Sequence, residues 1–143
     1  MDKKLLILQN DVQQVSQLAL FVDEVCEAAG LDMATAMKLN LAVEEAVVNV
    51  MNYAYPPDTV GNINIKAEVH DDQLEFTITD SGAPFDPTTQ QEADTTLSAE
   101  ERPIGGLGIH LVRTIMDSIS YERVDGNNTL RLIKRIKNKK MKK

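Results

Sequence analysis

Tryptophan is absent, phenylalanine and tyrosine occur three times each, and cysteine occurs once, at Cys26. With so few rings, the core must be mostly aliphatic. One cysteine permits no disulfide within the chain, so the fold does not rely on an oxidising compartment. Cys26 itself reads as a small buried hydrophobe on a helix. No apolar run approaches the ~20 residues needed to cross a bilayer. The N-terminus has neither the apolar stretch nor the small-residue site of a signal peptide. The cytoplasm is the expected compartment, with no membrane partner.

Basic charge is scarce over most of the sequence. The net charge is −7, yet residues 131–143 hold eight Lys or Arg and no acid. The remainder carries 7 bases against 22 acids. Such a body argues against nucleic acid as the main partner, because phosphate binding needs a basic surface. Residues 138–143 read as a basic, disordered tail that aids solubility. Residues 1–137 read as one domain, and 43% apolar content in 143 residues is enough for a core without staples.

Hydrophobic spacing gives the elements. Residues 3–8 read as a first strand. Residues 11–29 carry Val12, Val15, Leu18, Ala19, Val22, Val25 and Cys26 at helical spacing. Gly30 is placed to end that helix as a C-cap glycine, and Asp32 to N-cap the next. The second helix runs to about Ala54, where Pro56-Pro57 stops it. From Asn62 the period becomes two. Ile63, Ile65, Ala67 and Val69, then Leu74, Phe76 and Ile78, alternate with polar residues across a turn at His70-Asp71-Asp72. Residues 81–104 have no clear period. A helix is expected over 109–118, and two last strands over 119–124 and 129–136 across a turn at 125–128. This order gives an α+β fold, a two-layer sandwich of a mostly antiparallel sheet with helices on one face.

Three segments carry polar groups suited to chemistry. Glu45 and Asn49 are four apart, so they share one side of a helix that is otherwise apolar on most sides. Burying a carboxylate and an amide there is costly unless they line a pocket; the alternative is that this stripe faces water. Asp80 ends an apolar strand and is followed by Ser81-Gly82. That is ordinary turn chemistry, or an acceptor carboxylate on a pocket floor with Gly82 letting a flat ring approach. Gly105-Gly106-Leu107-Gly108 precedes a helix and can offer free N–H groups to phosphates, or can act as a hinge. It is neither a Walker P-loop nor a Rossmann fingerprint.

Residues 44–56, Glu44-Glu45-Ala46-Val47-Val48-Asn49-Val50-Met51-Asn52-Tyr53-Ala54-Tyr55-Pro56, resemble the N-box of the GHKL ATPases. Asp80-Ser81-Gly82-Ala83-Pro84-Phe85-Asp86-Pro87 resembles their first glycine box, and residues 105–113 their second. Within that superfamily the chain is most similar to bacterial anti-sigma factor serine kinases. The resemblance implies the Bergerat ATP-binding fold, with ATP and Mg2+ as cofactors. It implies that Asn49 holds Mg2+ and that Glu45 is the general base toward a serine hydroxyl. Asp80, with Gly82 beside it, would accept from the adenine amino group. Gly106, Leu107 and Gly108 would meet the phosphates. Residues 87–104 would form a lid, Arg102 would reach the terminal phosphate, and Thr129 would touch the base. Pro84 and Tyr53 depart from the pattern, the latter where such kinases commonly carry a histidine.

The function implied is phosphorylation of a small anti-sigma factor antagonist, with sequestration of a sigma factor by a chain that can form homodimers. The alternative is an ATP-binding interaction module with little or no phosphoryl transfer. A sensor-kinase ATPase domain is disfavoured, since only His70 and His110 exist and no phosphorylatable histidine helix precedes the boxes.

Overall fold

The structure, a computed structural model, describes residues 3–56, 58–89 and 106–136. Strand β1 (Lys3–Gln9) leads through a 3-10 turn (Val12–Gln14) into helix α1 (Val15–Ala28) and then α2 (Met33–Tyr53). Strands β2 (Asn62–His70) and β3 (Gln73–Asp80) form a hairpin, followed by a short 3-10 turn (Pro87–Thr89). Helix α3 (Gly106–Ile115) precedes a second hairpin of β4 (Ser118–Val124) and β5 (Asn127–Arg135). The expected α+β order is what is observed. Arg102, Gly105, most of the expected lid and the tail at 138–143 lie outside the described residues.

The five strands form one sheet in the order β1-β2-β3-β5-β4, and every neighbouring pair is antiparallel. The last strand in sequence therefore lies inside the sheet. Leu8, Ile63, Ile65, Leu74, Phe76, Ile78, Leu130 and Leu132 are buried on its inner face. The intervening positions carry charge, such as the Lys66–Glu68 and Arg131–Glu122 ion pairs. Alternation at period two is what allows one sheet to have a dry face and a wet one. Helix α2 packs against both α1 and α3, which makes it the central helix. Leu39, Ala42, Val43 and Val47 are fully buried there.

Local chemistry explains the boundaries. The Asp32 side chain accepts from the Thr35 N–H at 2.8 Å and starts α2. Helix α1 closes in a Schellman motif, with Gly30 at φ 73° and the Leu31 N–H donating to the Cys26 carbonyl at 3.0 Å. Asp11 accepts from the Gln13 N–H, so the expected helix over 11–29 opens as a 3-10 turn and becomes α-helical only at Val15.

Two further places differ from the sequence reading. Helix α3 begins at Gly106 and ends at Ile115, three residues earlier at each end than expected. Glycine costs least in a first turn, where the N–H groups are unpaired in any case. At the other end, Lys134 Nζ donates to the Ile115 carbonyl, and the Asp117 N–H bonds to the Ile133 carbonyl as the chain joins the sheet. The second difference is the last turn. Asp125 at φ 51° and Gly126 at φ 80° complete it as a two-residue turn. Asn127 and Asn128 are thereby released into β5.

Candidate functional site

Helix α2 presents Glu45, Asn49 and Tyr53 at four-residue spacing on one face. Glu45 and Tyr53 are half-buried, and Asn49 is only 1% exposed. Neither Oδ1 nor Nδ2 of Asn49 has a hydrogen-bond partner among the described residues. A buried, unpartnered carboxamide costs about 1–3 kcal/mol, so a native fold retains one where something outside the protein satisfies it. The Tyr53 hydroxyl pKa is raised, first by burial and then by the negative charge of Glu45. The Glu45 carboxylate therefore acts on the same side of the helix.

The end of β3 is tied to the end of α2. The Ala83 N–H donates to the Ala54 carbonyl at 2.7 Å. The Ser81 N–H donates to the Tyr55 hydroxyl, which donates in turn to the Asn62 carbonyl. Gly82 is required at this junction, because a Cβ there would lie 2.4 Å from the Ala54 carbonyl oxygen. The Phe85 ring stacks on Tyr53 with centroids 5.2 Å apart. These contacts set Asp80 beside the C-terminal end of α2.

Asp80 is 3% exposed. Its Oδ1 accepts from the Gly82 N–H at 2.8 Å and from Asn128 Nδ2 at 2.9 Å. Oδ2 accepts no hydrogen bond among the described residues, which leaves it an acceptor there. Burial raises the carboxyl pKa, against the lowering effects of the Asn128 and Gly82 hydrogen bonds and the Arg123 charge. Arg123 Nη1 also donates to the Gly82 carbonyl at 2.8 Å.

Sequence reasoning missed Asn128, which lies opposite Asp80 in the β3–β5 ladder and is 3% exposed. It chose the neighbouring Thr129 instead. Thr129 pairs with Thr79, and alternation puts both on the opposite face of the sheet from Asp80. The structure therefore brings together Asp80, Gly82 and Asn128, with Glu45 and Asn49 on the adjoining helix, and leaves Thr129 apart. The missed signal was register: an Asp-Gly hairpin turn counts Asn128 onto the inner face with Leu130 and Leu132. Gly106, Leu107 and Gly108 form the first turn of α3, whose N–H groups have no carbonyl partner within the helix. A separate open cavity of about 320 Å³, lined by Thr88, Arg113, Met116, Asp117, Ser118 and Ile119, contains none of these residues.

A central helix with a buried amide, a sheet-end carboxylate and a glycine-rich helix start thus stand together in this fold. The chain belongs to the histidine kinase-like ATPase domain family, whose model matches residues 8–134. Among its relatives, the serine-protein kinase RsbW of Listeria monocytogenes is 30% identical over 129 residues, covering 87% of this chain and 82% of the relative. RsbW of Bacillus licheniformis is 28% identical over 126 residues, covering 85% and 78%.

The crystal structure of the RsbU and RsbW domains of Rv1364c from Mycobacterium tuberculosis superposes with a TM-score of 0.67 at 15% identity. It covers 94% of this chain and 32% of that one. The histidine kinase domain of Erythrobacter litoralis EL346 gives 0.53 at 14% identity, covering 91% and 62%. These two likenesses bear on the fold alone. The orphaned Asn49 amide and the open Asp80 oxygen fit a metal–nucleotide complex, since one offers a neutral oxygen to a hard cation and the other an acceptor to an exocyclic amine.

Proposed function

We propose that this chain is an ATP-dependent protein serine kinase that acts as an anti-sigma factor, phosphorylating a small antagonist protein and sequestering a sigma factor. The observation that carries this reading is the buried Asn49 carboxamide, without a partner among the described residues and one helical turn from Glu45. The names and identities of the RsbW relatives support it. Residues 1–137 would form the ATP-binding unit, with 138–143 as its tail. A cytoplasmic location fits the reading, and no helix among the described residues is long and apolar enough to cross a membrane. Homodimerisation belongs to the same proposal.

In this scheme Asn49 Oδ1 would hold Mg2+, which neutralises phosphate charge. Asp80 Oδ2 would accept from the adenine amino group beside Gly82. The amides of Gly106, Leu107 and Gly108 would cradle phosphate oxygens, and Arg102 would meet the terminal phosphate. Thr129, on the opposite face of the sheet, takes no part in this scheme, and Asn128 bears on the site through its bond to Asp80. Glu45 takes the proton from the substrate serine as its Oγ bonds to the γ-phosphorus. The bond from that phosphorus to the β,γ-bridging oxygen would break, with ADP as the leaving group. Such transfer is mostly positioning and charge neutralisation, which a helix-mounted carboxylate and amide supply.

Incubation with labelled ATP and candidate antagonist proteins tests the proposal. Phosphoserine should form with the native chain, and Glu45→Ala should abolish it while ATP binding survives. Binding without transfer by the native chain would leave the interaction-module reading. Asn49→Ala should remove the magnesium-dependent part of ATP affinity, measured by titration with and without the metal. Unchanged metal dependence would refute the role of Asn49.

A further inference from the structure

Asn128 uses every hydrogen-bonding position of its carboxamide. Nδ2 donates to Asp80 Oδ1 at 2.9 Å and to the Ala83 carbonyl at 2.8 Å. Oδ1 accepts from the Phe85 N–H at 3.2 Å, from Arg123 Nη1 at 3.1 Å and from the Tyr121 hydroxyl. The partners of Nδ2 are obligate acceptors here. The Phe85 amide and the Arg123 guanidinium are obligate donors. The orientation of the amide is thus fixed by chemistry.

The consequence falls on Asp80. Both hydrogen bonds to its carboxylate land on Oδ1. Its rotation is locked, and Oδ2 is left as the open acceptor of the pair among the described residues. The same carboxamide holds residues 83 and 85, on either side of Pro84, so the segment leaving the site is fixed by the group that aims the carboxylate.

We infer that Asn128 is the positioning residue for base selection: it aims Asp80 Oδ2 so that the site favours a purine bearing a 6-amino group. This rests on the ATP-site reading above. An acceptor-only oxygen held in place discriminates for an N–H donor, and one that can rotate away discriminates less.

The test is a thermodynamic cycle on the full chain. Calorimetry compares ATP with a purine nucleoside triphosphate lacking the 6-amino group, for the native protein and for Asn128→Ser. The native chain should prefer ATP by about tenfold, the worth of one hydrogen bond to a charged group. Asn128→Ser should lose most of that preference while binding the deamino analogue nearly unchanged. A merely structural role would weaken both nucleotides equally, and that result overturns the inference. Native protein that binds neither nucleotide overturns the ATP-site reading instead.

Asn128→Asp supplies a second measurement should the serine variant fold poorly. It keeps the shape but sets a second carboxylate against Asp80, with Arg123 and the Tyr121 hydroxyl as its other polar neighbours. At high pH the two carboxylates repel. As pH falls, one shared proton restores a donor to Asp80 Oδ1. The preference for ATP over the analogue should therefore be low at pH 8 and return as pH falls, while the native preference stays flat. A pH-independent preference equal to the native one would also sink the inference.

Discussion

In the proposed site, Asp80 trades stability for binding. Burial raises its carboxyl pKa above the ordinary 3.8, so the native state holds the proton more tightly than the unfolded chain does. The resulting stability is fully present below the unfolded value and is lost as pH rises through the native one. Asp80→Asn can keep the bond from the Gly82 N–H and removes the buried charge. Urea unfolding should show the variant gaining on the native chain as pH rises from 4 to 7, while its ATP affinity falls, because an amide N–H would face the 6-amino group. Gly82→Ala should cost about 1–3 kcal/mol by overpacking, read as a lower urea midpoint, since the new Cβ has backbone 2.4 Å away. The Cys26 thiol is 1% exposed, and burial followed by the Asp23 charge pushes its pKa up to about 11. Alkylation in native buffer should therefore be slow and become fast in denaturant.

The helices and hairpins were legible where local chemistry and hydrophobic period agreed. Asp32 and Gly30 bound α2 and α1 as their residue types demand, and the β2–β3 hairpin follows its alternation. Asp32→Ala should lower the urea midpoint by removing the acceptor for the Thr35 N–H. The hydrogen bonds from Thr35 lower the Asp32 pKa, so the deficit should be present above pH 3.8 and vanish as pH falls through the native value. The sequence misled where one residue type serves two uses. Glycines 106 and 108 were read as lying before a helix and instead sit in its first turn. Asn127 and Asn128 were read as turn residues, yet the positive φ at Asp125 and Gly126 had already closed the turn. Thr129 follows from the family resemblance alone, and the hairpin count places Asn128 rather than Thr129 on the face of Asp80.

At the scale of the whole molecule, the α+β element order and the family boxes were legible, because hydrophobic period sets the one and Asn49, Asp80 and Gly106 stand in recognisable motifs of the other. The hydrogen-bond hub at Asn128 was not recoverable, because it depends on a pairing 48 residues apart in sequence. Binding to such an assembled site stabilises the native chain as a unit. At a hundredfold excess over Kd, ATP with Mg2+ should add about 2.7 kcal/mol. That corresponds to a rise of roughly 5–10 °C in Tm for a domain of this size. Thermal denaturation with and without both ligands reads the shift directly. Indifference to both at millimolar concentration would remove the kinase and interaction-module readings together.

Strand β5, the last of the described strands in sequence, lies between β3 and β4. A nascent polypeptide still tethered to the ribosome, with residue 128 inside the exit tunnel, has Asp80 but not the amide that aims it. The proposed base selection therefore awaits the arrival of β5 in the sheet, and fragments truncated ahead of that strand should not distinguish ATP from its deamino analogue.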